Sequence, residues 1–297
     1  MPPRIAIPIP HSFDEDYAKR AIPQYERAVE LAGGEAVRIP LDQTAAEVIR
    51  MIERCDGVLL PGSKADVDPA RFKAARSPRT ADADPRRDAV DDLLLEDAYK
   101  LRKPVLGICY GLQSLNVFRA GSLVQHIPDF LPAETRATVD HAVGKKAAVA
   151  HTVEIEASSK LGQIVADALE STSESEAHTD DKRQIAALKA LRRPRSTLRR
   201  LFSRVATPAD HQSAFVDGDR VIVPVNSSHH QSAEVTGDGL CIAARCPDDG
   251  ILEALEGTAP EHFVLAVQWH PERSVEDDEA SLAIFRALVN AAAEWRR

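Results

Sequence analysis

Cysteine is scarce in this chain. Cys55, Cys109, Cys241 and Cys246 are the only four among 297 residues, and they are unevenly spaced. No Cys-x-x-Cys pair or His-x-x-x-His pair completes a site around Cys241 and Cys246, so a disulfide framework is excluded and no metal site is expected. Positive charge is also in short supply. Lys and Arg number 37 against 46 Asp and Glu, and a formal net charge of −9 implies no general affinity for nucleic acid or for an anionic membrane. Long apolar runs are missing too, since none approaches the ~20 residues that cross a bilayer. The opening Met1-Pro2-Pro3-Arg4-Ile5 lacks the charged segment and apolar core of a signal peptide. Reduced thiols in a cytoplasmic protein are therefore expected, and internal repeats are absent. What remains is a 44% hydrophobic chain, long enough for one large α/β domain or two modest ones.

Strand and helix signals alternate through the first 120 residues. Arg4 to Pro8 reads as a strand. Ala21, Tyr25, Ala28, Val29 and Ala32 mark the buried face of a helix that Gly33-Gly34 ends. Ala36 to Ile39 is a second strand. Thr44-Ala45-Ala46-Glu47 fits a capping box opening a helix to about Arg54, and Gly57 to Leu60 is a third strand running into Pro61-Gly62-Ser63. Asp84-Pro85 pairs an N-cap with proline at the first helical position, and that helix runs to about Lys100, burying Val90, Leu94 and Ala98. Val105 to Ile108 is a fourth strand. Such alternation predicts a doubly wound, mostly parallel sheet with flanking helices, whose ligand site lies beyond the carboxyl ends of the strands. Further strands are read at Gly121 to Gln125, Ala148 to Ile155, Val221 to Val225, Gly239 to Ala244 and Phe263 to Trp269, and a last helix at Ser281 to Ala293. They form a small antiparallel extension. Residues 166 to 215 fit poorly. They begin acidic and turn basic around Arg192-Arg193-Pro194-Arg195, and read as an inserted, solvated, partly helical or disordered segment that folds back on the acidic body.

Leu106-Gly107-Ile108-Cys109-Tyr110-Gly111-Leu112 is the stretch around which the rest is arranged. One cysteine sits between strand and helix, with glycine two residues away on either side. This is the Gly-x-nucleophile-x-Gly elbow, a strained turn that lifts one side chain above the sheet edge. Cys109 there faces the positive end of a helix dipole. A buried structural cysteine is the competing reading. A cysteine nucleophile needs a base and a group to orient it. Of the ten histidines, His270 alone has that context: it ends a strand and is followed by Pro271-Glu272, so ring and carboxylate two residues apart project together. The acid follows the histidine, unlike the order in α/β-hydrolases.

These stretches resemble class I glutamine amidotransferases, and within them the γ-glutamyl-γ-aminobutyrate hydrolase branch, the peptidase C26 family. The resemblance is carried by Tyr25 to Gly34, Asp56-Gly57-Val58-Leu59-Leu60-Pro61-Gly62, Asp66-Val67-Asp68-Pro69, Arg87-Asp88, Leu106 to Val117, Val225-Asn226-Ser227-Ser228-His229-His230-Gln231 and Val267-Gln268-Trp269-His270-Pro271-Glu272. It spans the chain outside 166 to 215, as one flavodoxin-like domain over 1–297. It implies a Cys109, His270, Glu272 triad that cleaves a γ-glutamyl amide through a thioester. It also implies an oxyanion hole of backbone N–H groups at Ser63 (or Gly62) and Tyr110. Gln113 and the segment from Asn226 through Ser227, Ser228, His229 and His230 to Gln231 would line the glutamyl pocket. No cofactor is implied, and the expected partner is a small γ-glutamyl molecule, with a homodimer admissible.

The chain departs from the family at three places, one of them the inserted segment just before the Asn226 strand, which is expected to form a lid or a partner surface. Ser63 stands where a second glycine is usual, and a positive φ there would cost of order 1 kcal/mol or more. Tyr110 stands where the hydrolases often carry arginine, so their leaving-group preference is not carried over. A glutaminase subunit feeding a separate synthetase, and a non-catalytic ligand-binding protein, are the alternatives to a free-standing hydrolase.

Overall fold

Alternation within single strands sets the layout. In β1 (Arg4–Pro8), Ile5 and Ile7 join one apolar cluster and Ala6 another, and β3 (Gly57–Leu60) and β4 (Val105–Ile108) are buried at every position. Neighbouring residues of a strand point to opposite faces, so strands apolar on both faces must be covered on both. In the computed structural model, which describes residues 1–136, 139–172 and 214–296, helices do so. Helices α1 (Glu15–Leu31) and α7 (Glu279–Trp295) cover one face through Tyr25, Ala28, Val29, Phe285 and Leu288. Helices α2 (Ala45–Ile52), α3 (Pro85–Leu101) and α4 (Tyr110–Phe118) cover the other through Val48, Val90, Leu94, Leu112 and Leu115.

The local signals act as their chemistry dictates. Thr44 and Glu47 close the reciprocal capping box at α2, and the Asp84 carboxylate accepts from the Arg87 N–H with Pro85 in the first turn. Gly33 adopts a φ of 89° after α1.

Ten strands pair in one sheet among the described residues, in the order β2-β1-β3-β4-β12-β11-β10-β6-β8-β7. The first five, with β2 at Glu35–Ile39 and β12 at Val264–Val267, are parallel. The remainder are antiparallel: β11 (Leu252–Gly257), β10 (Leu240–Arg245), β6 (His151–Glu156), β8 (Arg220–Val225) and β7 (Phe215–Asp217). β5 (Leu123–Val124) and β9 (Ser232–Ala233) form a separate pair, which is why the strand signal around Gly121 to Gln125 yields so short an element. The antiparallel extension is thus as wide as the parallel half. Its sequence signal is weaker because β11, reading Leu-Glu-Ala-Leu-Glu-Gly, contains no β-branched residue.

Residues 166–172 of the expected insertion belong to a helix over 160–172, here α6, following a short α5 (Ile127–Phe130). Ser159 caps α6 by accepting from the Gly162 N–H, and Leu161 and Val165 are buried in the α1–α7 cluster. The acidic-to-basic run, with Pro194 and its neighbouring arginines, lies in 173–213, outside the described residues.

Strands β3 and β4 both nearly touch helix α4. A Cβ on Gly111 would stand 2.1 Å from the Leu60 carbonyl oxygen, and one on Gly107 would stand 2.8 Å from the Gly111 backbone. Overpacking against backbone is relieved only by separating helix from sheet. Gly111→Ala is therefore expected to destabilise by about 3 kcal/mol or more, a fall in Tm on the order of 5 °C for a chain of this size. An unchanged thermal denaturation curve would contradict this reading of the elbow.

Candidate active site

The elbow residue is strained. Cys109 caps α4 with φ 53° and ψ −105°, a conformation costing a non-glycine residue of order 1–3 kcal/mol. Its N–H donates to the Val267 carbonyl at 2.8 Å, and its own carbonyl accepts from Leu112 and Gln113, so both sides of the residue are held. The sulfur belongs to a side chain 6% exposed. The other three cysteines lie in inert settings. Burial pushes the Cys55 thiol up to about 11 and raises those of Cys241 and Cys246 as well.

His270 arrives from the neighbouring strand. β12 runs parallel to β4, with Val267 beside Ile108, so the chain leaving β12 passes the residue that follows β4. The Asn226 side chain then holds the His270 backbone on both sides: its Nδ2 donates to the His270 carbonyl at 2.8 Å, and its Oδ1 accepts from the His270 N–H at 3.1 Å. The Glu272 carboxylate meets the ring at 2.8 Å, from Oε1 to Nδ1. The elbow and the imidazole meet above Gly62. A Cβ there would stand 3.1 Å from His270 Cε1 and 3.6 Å from Cys109 Cβ. Burial alone would make the imidazole less basic, but the Glu272 charge and the Cys109 sulfur outweigh it and raise His270 to about 9. Burial pushes Glu272 up, and the His270 charge more than reverses this, holding the carboxylate below its usual range.

Two backbone N–H groups, beside the elbow and after β3, lack an acceptor. Among the described residues, none accepts from the Ser63 or Tyr110 N–H, whereas the Gly62 N–H donates to the Tyr25 hydroxyl at 3.1 Å. The Gly62 N–H is thus engaged by Tyr25, which leaves the Ser63 and Tyr110 N–H groups as the two without an acceptor. Ser63 is not among the residues of positive φ, so serine at this position carries no left-handed strain.

This geometry can be compared with known proteins. The model of the family named Peptidase C26 matches residues 9–192 and 199–272, most of the chain. The chain belongs to the peptidase C26 family. It is 26% identical to the gamma-glutamyl-gamma-aminobutyrate hydrolase PuuD of Escherichia coli (strain K12), over 90% of this chain and 84% of that protein. It is 27% identical to a glutamine amidotransferase-like protein of Rickettsia prowazekii, over 90% of this chain and 87% of that one. The glutaminase domain of Trypanosoma brucei CTPS, solved with bound acivicin, superposes with a TM-score of 0.53 at 16% identity, over 98% of this chain and 94% of that domain, which shows a shared fold. Membership of the family supports a hydrolase.

The side chains expected to line a glutamyl pocket have partners within the protein. Asn226 is the clamp on His270. Ser227 and His229 are both buried, Ser227 Oγ donating to the His141 carbonyl and His229 Nδ1 standing 3.0 Å from the Gln231 carbonyl. Gln113 Nε2 donates to the Gln231 carbonyl and to Gln268 Oε1. Ser228 Oγ accepts from Arg273, and His230 Nε2 lies 3.1 Å from Asp66 Oδ1. Tyr110 turns its ring under the Arg87 guanidinium and donates its hydroxyl to Asp88.

Two supporting residues escape a reading of spacing alone. Arg87 is wholly buried, paired with Asp91 one turn on, and donates to the Pro10 and Pro61 carbonyls, fixing the backbone that leads into Gly62-Ser63. Tyr25 receives Gly62. For Arg87, the Asp four residues later is the available signal. For Tyr25 there is none, because its place on the apolar face of α1 is that of an ordinary core residue.

The ion pair between His270 and Glu272 has a pH signature. The raised His270 contributes stability that is fully present below its unfolded value near 6.5 and lost as pH rises through about 9. The lowered Glu272 contributes stability present above its unfolded value, 4.5, and lost as pH falls through its folded one. The urea midpoint is expected to fall between about pH 6.5 and 9, with Glu272→Gln flattening that fall. The same slope in the variant would contradict the pairing.

Proposed function

We propose that this chain is a cysteine hydrolase of γ-glutamyl amides, acting through a γ-glutamyl thioester on Cys109. The observation that carries this reading is the buried imidazole, braced by Glu272 at 2.8 Å, packed beside the strained elbow cysteine. Cys109 Sγ, its proton held by the His270 imidazole, attacks the γ-carbonyl carbon. The C–O π electrons move onto oxygen, where the Ser63 and Tyr110 N–H groups receive the oxyanion. On collapse the C–N bond breaks, and the amine leaves with the proton from His270. Water, deprotonated by the same ring, then attacks the thioester carbonyl. Glutamate departs, and the proton returns to sulfur. Glu272 keeps one tautomer and offsets the imidazolium charge throughout. Cys109 carries its strain in the free protein, so presenting the sulfur requires no backbone change on binding.

The similarity to gamma-glutamyl-gamma-aminobutyrate hydrolases supports a γ-glutamyl amine as substrate. The shared fold with a glutaminase domain favours a second reading, in which the same thioester forms from glutamine and ammonia passes to a synthetase on another chain. Both readings predict that Cys109→Ala lowers turnover about 10⁴-fold or more with unchanged circular dichroism and Tm, and that Cys55→Ala stays near the wild-type rate. A panel of γ-glutamyl amides, with mass-spectrometric capture of the thioester, separates the two. Turnover of γ-glutamyl amines by the isolated protein is the expected result. Glutamine hydrolysis that appears only with an added partner would replace it with ammonia supply, and no turnover with an unlabelled Cys109 would leave a binding protein.

A further inference from the structure

A second cluster of ionisable side chains lies in the antiparallel half of the sheet, apart from the triad. His141 comes from the loop before β6, His151 from the start of β6, His229 from the loop between β8 and β9, and Glu253 from β11. All four are buried, Glu253 completely. Neither oxygen of Glu253 has a hydrogen-bond partner among the described residues, nor do His141 Nδ1, His151 Nε2 and His229 Nε2. A buried carboxylate that no hydrogen bond satisfies costs several kcal/mol, and what Glu253 has instead are charge contacts with the three imidazoles. These unpartnered atoms converge: Glu253 Oε1 lies 3.3 Å from His141 Nδ1, 3.6 Å from His151 Nε2 and 3.6 Å from His229 Nε2, and all the ligand atoms lie within 4.8 Å of one another.

We propose that His141 Nδ1, His151 Nε2, His229 Nε2 and Glu253 bind one zinc ion. Ligands at about 2.0–2.2 Å from a tetrahedral centre stand about 3.3–3.6 Å apart, which is the spacing found around Glu253 Oε1. The far nitrogen of each ring is held: His141 Nε2 by Asp249 at 2.8 Å, His151 Nδ1 by the Thr152 carbonyl at 3.0 Å, and His229 Nδ1 by the Gln231 carbonyl at 3.0 Å. Acceptors on the outer nitrogens keep the protons there and turn the three inner lone pairs toward one point, as the outer partners of metal-bound histidines do. The charges also close. A divalent ion with the Glu253 and Asp249 carboxylates sums to zero in a buried volume. Three imidazoles and a carboxylate suit zinc among the common divalent ions, and four protein ligands make a closed, structural site.

Such an ion would pin the loop that carries Asn226 to β6 and β11, and hence brace the His270 backbone. Linear spacing gives no hint of it, because the four ligands lie in four separated segments. Cys246, which also lies near His141 and Asp249, is the competing ligand. The site does not depend on the hydrolytic reading.

The untagged full chain, purified without immobilised metal, is expected to retain about one zinc per molecule by inductively coupled plasma mass spectrometry. Glu253→Gln and His151→Ala should lower that content at least tenfold, and Cys109→Ala and Cys246→Ser should not. Because the ligand variants can unfold, the wild type supplies an independent reading. After stripping with a chelator, one equivalent of zinc should raise Tm by several degrees. One equivalent of cobalt(II) should give the visible bands of a tetrahedral nitrogen and oxygen site, with no sulfur-to-cobalt band in the near ultraviolet. Wild type that retains no zinc and shows no rise in Tm would overturn the site, and a sulfur-to-cobalt band or loss of zinc in Cys246→Ser would overturn this ligand set.

Discussion

Parallel pairing of β4 with β12 is the constraint on which the rest depends. The register places Val267 beside Ile108, and the Cys109 N–H closes on the Val267 carbonyl. One hydrogen-bonded ladder therefore sets where the elbow sulfur emerges and where the chain carrying His270 turns. Neither residue has freedom to drift, because β4 and β12 are buried at every position and covered by helices. A one-residue slip would reverse which face each side chain takes. The site is in this sense a by-product of a register that the core enforces for its own packing.

Around that ladder, each part of the site is held by something that does no chemistry. Arg87, buried with Asp91, fixes the carbonyl of Pro61 and so the backbone that offers Ser63. Tyr25 takes the Gly62 N–H, and Asn226 takes both backbone groups of His270. Buried polar groups held by such partners restrict the backbone to one arrangement. The antiparallel strands carry Asn226 and its loop, and so are coupled to the centre formed by the parallel ones.

Much of this is legible in the residues. The capping box at Thr44, the Asp84-Pro85 start, the glycines about Cys109 and the His270-x-Glu272 pair are local patterns with local causes, and they stand where those causes put them. What spacing does not convey is long-range. β11 has the composition of a helix, with Leu, Glu and Ala, and becomes a strand because β10 and β12 flank it. The polar run from Asn226 to Gln231 has the chemistry of a substrate lining, yet most of its side chains answer to internal partners that only the fold brings near. Gly62 has the place of an oxyanion donor, but a tyrosine from α1 occupies its N–H.

The pairing of β4 with β12 joins segments far apart in the chain, with Ile108 beside Val267. A polypeptide leaving the ribosome therefore exposes its elbow cysteine long before the strand that supplies the base has been made. Contacts of such sequence separation form late and pay a large loop-closure cost. The chemistry of the site therefore belongs to the finished fold alone, and a nascent or prematurely ended chain carries an elbow thiol without the imidazole that is to stand beside it.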